Sequence, residues 1–123
     1  MAFADDITLS PDSGTTNNVY SIISMVGGKS IRQDATLELD VPSVLTISHQ
    51  TTGKGDSAVA RRMVRLDRTL EGVDAEYKTV SAHTVLTVPG SVVTKTDVSN
   101  LVAELIDFFQ SAGFLDKLLN GEP

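Results

Sequence analysis

The chain has 123 residues, enough for one domain with a single core but small for an enzyme enclosing a deep cleft. Ten basic residues stand against sixteen acidic ones, for a net charge of −6, and the absence of cysteine excludes disulfides, thiolate chemistry and Cys-based zinc sites. No apolar run is long enough to span a membrane, and the acidic start "MAFADDITL" lacks the basic-then-apolar order of a secretory signal, so a soluble protein working inside a cell, or in an assembly made there, is expected.

In chain order, "DITLS" alternates and is closed by the turn signal "PDSGTTN". "NVYSIISMV" is β-rich and stops at Gly27-Gly28. "SIRQDATLEL" is a candidate strand ending before Val41-Pro42. "SVLTISHQ" alternates, "TTGKGDS" is a loop, and "AVARRMVRLDRTL" is a strand that breaks at Glu71-Gly72. "EYKTVSAHTVLTV" is a long strand ended by Pro89-Gly90. Strands at this spacing, with turn signals and no helix between them, predict an antiparallel meander.

From Thr96 the period changes. Val98, Leu101, Val102, Leu105, Phe108, Phe109 and Ala112 form the stripe of an amphipathic helix, with Thr96 or Asp97 as its cap and Gly113 at its end. "FLDKLL" predicts a second short helix. The fold class is α+β in one domain over residues 1–123: an N-terminal β-hairpin (1–26), an antiparallel sheet (30–89) and C-terminal helices (96–120).

Alternation sorts the sheet into two faces. Leu45, Ile47, Val64, Leu66, Ala82, Leu86 and Val88 form an apolar set. Thr46, Ser48, Gln50, Arg61, Met63, Arg65, Asp67, Ser81, His83 and Thr87 form the other face. Arg62 and Arg68 have the opposite parity to Arg61 and Arg65, and are expected at the rim or paired with acids. Half of the ten basic residues (Lys54, Arg61, Arg62, Arg65, Arg68) fall in fifteen positions, while residues 97 to 123 carry five acids against Lys117. A locally basic sheet face is an electrostatic footprint for phosphate. The bland alternative is a solvated strand whose arginines pair with acids such as Asp67 or Glu38.

The order of elements and the strings "DITLS", "LTISHQ", "ARRMVRLD", "SAHTVLTVP" and "TDVSNLVAELIDFF" resemble the coat proteins of single-stranded RNA bacteriophages, the levivirus type. The resemblance spans nearly the whole chain. It implies an N-terminal hairpin, a five-stranded antiparallel sheet and two C-terminal helices that cover the sheet of a partner, so that two subunits form one intertwined homodimer with a continuous ten-stranded sheet. Such dimers build a small icosahedral shell, assembled in the bacterial host cytoplasm. By the same resemblance the sheet would line the virion interior, package the single-stranded RNA genome and bind an RNA hairpin, repressing translation from it.

Carried over by matching strands, the RNA-facing residues would be Thr46, Ser48, Gln50, Arg61, Met63, Arg65, Ser81 and His83. The arginines would meet phosphate, and the hydroxyls sugar, phosphate or base edges. The dimer interface would use Val98, Leu101, Val102, Leu105, Phe108 and Phe109. The exposed loop over residues 69–76, with Glu71, Gly72, Val73 and Asp74, would join dimers. Two departures stand out. Relatives often carry a basic residue in the strand matching "LTISHQ", which here ends in His49 and Gln50, and Ser81 replaces an aromatic that stacks a base in some relatives.

Other chemistry finds little support. His49 and His83 sit in different strands without convergent partners, so no metal is expected. "GGKS" lacks the first glycine of a phosphate loop and precedes no helix pattern. No nucleophile elbow or spaced triad appears, and Asp5-Asp6 reads as solvated surface. Neither a cofactor nor a small-molecule substrate is expected, and an enzyme is disfavoured. A capsid subunit and a non-capsid, dimeric RNA-binding regulatory module remain.

Overall fold

The computed structural model describes residues 3–12, 14–90 and 93–123, the side chain of Asp56 excepted. Met1, Ala2 and the Ser13 of the predicted hairpin turn lie outside the described residues, as do Ser91 and Val92. Six strands follow one another: β1 (Ile7–Leu9), β2 (Asn18–Val26), β3 (Lys29–Asp34), β4 (Ser43–Thr52), β5 (Val59–Glu71) and β6 (Tyr77–Pro89). They form one antiparallel sheet in sequence order. The predicted N-terminal hairpin is therefore not a separate unit ahead of five strands: β2 pairs with β1 on one side and β3 on the other.

Local chemistry sets each boundary. The β1–β2 turn is tied by Asp12, whose carboxylate accepts from the Thr16 amide at 2.6 Å and its hydroxyl at 2.7 Å. At the β2–β3 turn Gly27 has φ of 60°, and a Cβ on Gly28 would lie 2.7 Å from the His49 carbonyl oxygen. Only glycine permits both the left-handed corner and that close approach. The sequence predicted a strand running on to Leu39, but β3 stops at Asp34. The Asp34 carboxylate turns back to accept from the Thr36 amide and hydroxyl at 3.0 and 2.6 Å, a local turn that competes with the strand ladder. A short 3-10 turn, Gly55–Ser57, connects β4 to β5. A β-bulge at Ile22/Ser24 inserts Ile23 into β2 and switches its face parity: Ile22 lies opposite Arg32 and Ser24 opposite Ile31, so Tyr20 and Ile22 before the bulge share a face with Met25 after it.

The buried interior is small and lies on one face of the sheet. Tyr20, Leu45 and Ile47 are its buried apolar members, with Ile7, Leu9 and Leu66 packed against them. A polar layer adjoins it. Arg32 is only 1% exposed and is held by the chain ahead of β1, its Nη2 donating to the Ala4 carbonyl at 2.8 Å and its Nε to the Asp5 carbonyl at 3.0 Å. Nη1 donates to the Ser30 hydroxyl at 2.7 Å, and the Tyr20 hydroxyl meets that of Ser43 at 2.8 Å.

Two helices follow: α1 (Lys95–Phe109) and α2 (Phe114–Leu119). The first cap is Thr94, not Thr96 or Asp97. The Thr94 hydroxyl accepts from the Asp97 amide at 3.2 Å while the Asp97 carboxylate accepts from the Thr94 amide, a capping box that begins the helix one residue earlier than predicted. Gly113 is left-handed, with φ of 73°, and leads into α2. Phe114 joins the helices by an edge-to-face contact with Phe108 at 4.9 Å and a tilted one with Phe109 at 5.2 Å. Neither helix buries a residue, and their principal contact is with each other rather than with their own sheet.

Candidate nucleic-acid interface

Residues directly opposite in an antiparallel ladder share a face, so strand register alone places the predicted residues. One row across β3, β4, β5 and β6 reads Ile31, Thr46, Arg65, His83. The next reads Lys29, Ser48, Met63, Val85, and beyond it come Gln50, Arg61, Thr87. On the other side lie Gln33, Val44, Asp67, Ser81. All eight residues expected to face RNA thus lie on one surface, opposite the small core. Arg61 and Arg65 are four residues apart, about 13 Å along β5.

The surface is more basic than the predicted set implies. Lys29 is exposed and lies beside Ser48, so β3 supplies the cation that β4 lacks. The sequence carried a weak signal for this: Lys29 follows a two-glycine turn, and the hairpin register converts that position into a place on the polar face. Ser48, Gln50, Arg61 and Met63 line a shallow concavity of about 230 Å³. Its one apolar wall and three polar rims suit a planar ring with hydrogen-bonding edges.

The two arginines are not equivalent. Arg65 donates from Nε to the Asp67 carboxylate at 2.8 Å and from Nη2 to the Ser81 hydroxyl at 3.2 Å. The Ser81 hydroxyl in turn donates to the same Asp67 oxygen. That hydrogen bond, followed by the Arg65 contact and the field of His83, holds the Asp67 carboxyl below its ordinary range. Among the described residues Arg61 forms no ion pair and no side-chain hydrogen bond. The acid pairing that alternation allowed for Arg62 and Arg68 does not occur among the described residues; the pairs present are Arg65–Asp67 and Lys78–Asp74. Arg62 sits opposite His49 and Leu86, and Arg68 opposite Ser43 and Val80, both on the other face.

That other face carries the apolar set between these polar positions and is largely uncovered beyond the core. Val64 is 44% exposed and Val80 64% exposed, and both lie beyond the reach of the small core. On α1, Leu101, Leu105, Phe108 and Phe109 are exposed, while Val98 and Val102 are half-buried. A depression of about 340 Å³ at the β2–β3 end is lined by Phe3, Met25, Ser30, Arg32, Ile47 and His49. The predicted loop over residues 69–76 is shorter than expected: β5 continues through Glu71, which pairs with Tyr77, leaving a five-residue turn from Gly72 to Glu76. Within it Gly72 exchanges backbone hydrogen bonds with Ala75 and Glu76, Asp74 pairs with Lys78 at 3.0 Å, and Val73 is fully exposed.

No protein-family model and no curated protein matches the sequence. Solved structures do match over nearly its whole length. The virus-like particle of Beihai levi-like virus 21 is 12% identical, with a TM-score of 0.78 and coverage of 99% of this chain and 98% of that one. The bacteriophage EMS014 coat protein is 16% identical, with a TM-score of 0.70 and coverage of 98% and 97%. An unassembled virus coat protein dimer, described as a bacteriophage RNA-binding dimer, is 16% identical, with a TM-score of 0.64 and coverage of 96% and 94%. The fold of this chain is thus the α+β coat-protein fold of the levivirus-type RNA phages, with its antiparallel sheet and two C-terminal helices.

Proposed function

We propose that this chain is a capsid subunit, a structural and non-enzymatic protein that dimerises, assembles into a small icosahedral shell and packages single-stranded RNA against the polar face of its sheet. The observation that carries the proposal is a pair of complementary deficits. Among the described residues the helices expose the apolar side of α1 and make their principal contact with each other, while the apolar face of the sheet leaves Val64 and Val80 exposed. Exposed apolar surface of this extent marks an interaction site. A second copy related by a two-fold axis offers each half what it lacks, with Val98, Leu101, Val102, Leu105, Phe108 and Phe109 as the covering stripe.

The sheet edges support the same arrangement. β1, at one edge, has three residues, whereas β6, at the other, has thirteen and is rich in Val and Thr. A long unguarded edge strand is a template for pairing with another chain, and two β6 strands side by side would continue one sheet through the dimer. The polar faces of both copies then form a single basic floor bearing Lys29, Arg61 and Arg65 in duplicate, while the acidic helices lie on the opposite side. In this reading the exposed Val73 turn, at the far end of the β5–β6 hairpin, touches neighbouring dimers. Without a stacking ring at Ser81, contacts on the floor favour backbone and loosely bound bases over recognition of one hairpin.

The test is expression in a bacterial host, sedimentation and nuclease treatment. RNA that co-sediments with particles and resists nuclease is the expected result. A dimer that never forms particles, with RNA fully accessible, would favour the non-capsid regulatory module, and particles assembled without RNA would remove that role from the polar face.

A further inference from the structure

Building on the reading of the polar face as an RNA surface, we propose that Asp67 holds Arg65 in an internal ion pair which a phosphate must displace to reach the Nε–Nη2 edge of the guanidinium, so that the floor carries one partly masked cation among exposed ones. The geometry is specific. Residues 65 and 67 are adjacent positions on one face of β5, and Ser81 and His83 are their register partners on β6, so four polar side chains meet in two neighbouring rows. The Nε–Nη2 edge of a guanidinium is one of those that clamp a carboxylate or phosphate with two parallel hydrogen bonds. In this chain that edge is spent, Nε on Asp67 at 2.8 Å and Nη2 on Ser81 at 3.2 Å. The Ser81 hydroxyl is likewise committed to Asp67, which removes it as a donor to RNA.

Lys29 and Arg61 have no such partner among the described residues, and both are exposed. The floor therefore has graded charge, two cations ready at its β3 and β5 positions and a third whose charge is partly neutralised and whose side-on edge is freed only when its carboxylate is given up. The mask is light. The Arg65 and Asp67 side chains are 44% and 24% exposed, and ion pairs so open to water are weak. It should reduce the share of Arg65 in binding by a small factor rather than abolish it.

The experiment uses the full-length protein in unassembled form, titrated against labelled oligouridylate over a salt series, with Asp67→Asn as the near-isosteric release. Tightening by roughly twofold to fourfold at 0.1 M salt is expected, with the log–log salt slope steeper by less than about one. Asp67→Asn should give no gain in the Arg65→Ala background, and Arg65→Ala alone should weaken binding less than Arg61→Ala does. Asp67→Ser serves the same purpose if the Asn variant misfolds. Unchanged affinity and slope on loss of the carboxylate would overturn the mask, as would a gain that persists without Arg65, since that would reflect general removal of negative charge. Lys29→Ala/Arg61→Ala separates the two levels of the argument. If that pair weakens binding while Asp67→Asn does nothing, only the mask falls; if the pair has no effect, the RNA-surface reading falls and the mask with it.

Discussion

Replacing Arg32 with Met is the sharpest perturbation of the fold. The guanidinium is almost fully buried and ties the Ala4–Asp5 backbone ahead of the three-residue β1 to the Ser30–Arg32 stretch of β3. Hydrogen bonds from a charged donor contribute about 1.5–3 kcal/mol each, and three good ones are lost. The full sum does not apply. Ala4 and Asp5 are exposed, so their carbonyls regain water, and the Met side chain fills most of the vacated volume while relieving the cost of a buried charge. The net loss should be about 2–4 kcal/mol, or a fall in Tm of roughly 8–16 °C for a chain of this size. Thermal unfolding at fixed protein concentration reads it, because dissociation couples to unfolding in a dimer. Limited proteolysis should find the segment before β1 newly cleavable. Arg32→Lys should fall between, since one ammonium cannot span the Ala4 and Ser30 acceptors together. A Met variant within 0.5 kcal/mol of the parent, with an unchanged proteolytic pattern, would refute the latch.

Two other perturbations address the rest of the chain. Asp67 has its carboxyl lowered in the folded state, so its contribution is present above the ordinary value of 3.8 and lost as pH falls through the lowered one. Asp67→Asn should flatten the acid limb of the stability profile in that window, and an identical limb would contradict the assignment. Shortening the Gly72–Glu76 turn to Asn-Gly keeps the Glu71–Tyr77 pair and removes Val73. Dimers should persist while particle size or melting changes; identical particles would mean that the turn has no role between dimers.

Much of the sheet was legible because its central strands follow a strict period of two. Leu45, Ile47 and Leu66 against Thr46, Ser48 and Arg65 leave only one assignment of faces, and the register agrees with it. Legibility failed where a side chain acts on its own backbone. Asp34 ends β3 by capping a turn, although the next residues continue to read as strand, and Thr94 starts α1 through a capping box that two equally plausible neighbours obscured. Arg32 was invisible as a buried residue, since nothing local distinguishes it from the exposed arginines of β5; its burial depends on carbonyls nearly thirty residues away. The Arg65–Asp67–Ser81 cluster was half visible, as same-face neighbours along β5, but the role of Ser81 needed the pairing of β5 with β6.

The central claim is that the apolar face of one copy is covered by the helices of another. An electron cryomicroscopy reconstruction of the assembled particle tests it most directly. It should show β6 of one chain beside β6 of its partner in a continuous sheet, α1 lying over the partner's apolar face, and the Lys29, Arg61 and Arg65 surface turned toward RNA. A monomer whose helices fold back onto its own Val64 and Val80, or a shell with the arginine face outside, would contradict it.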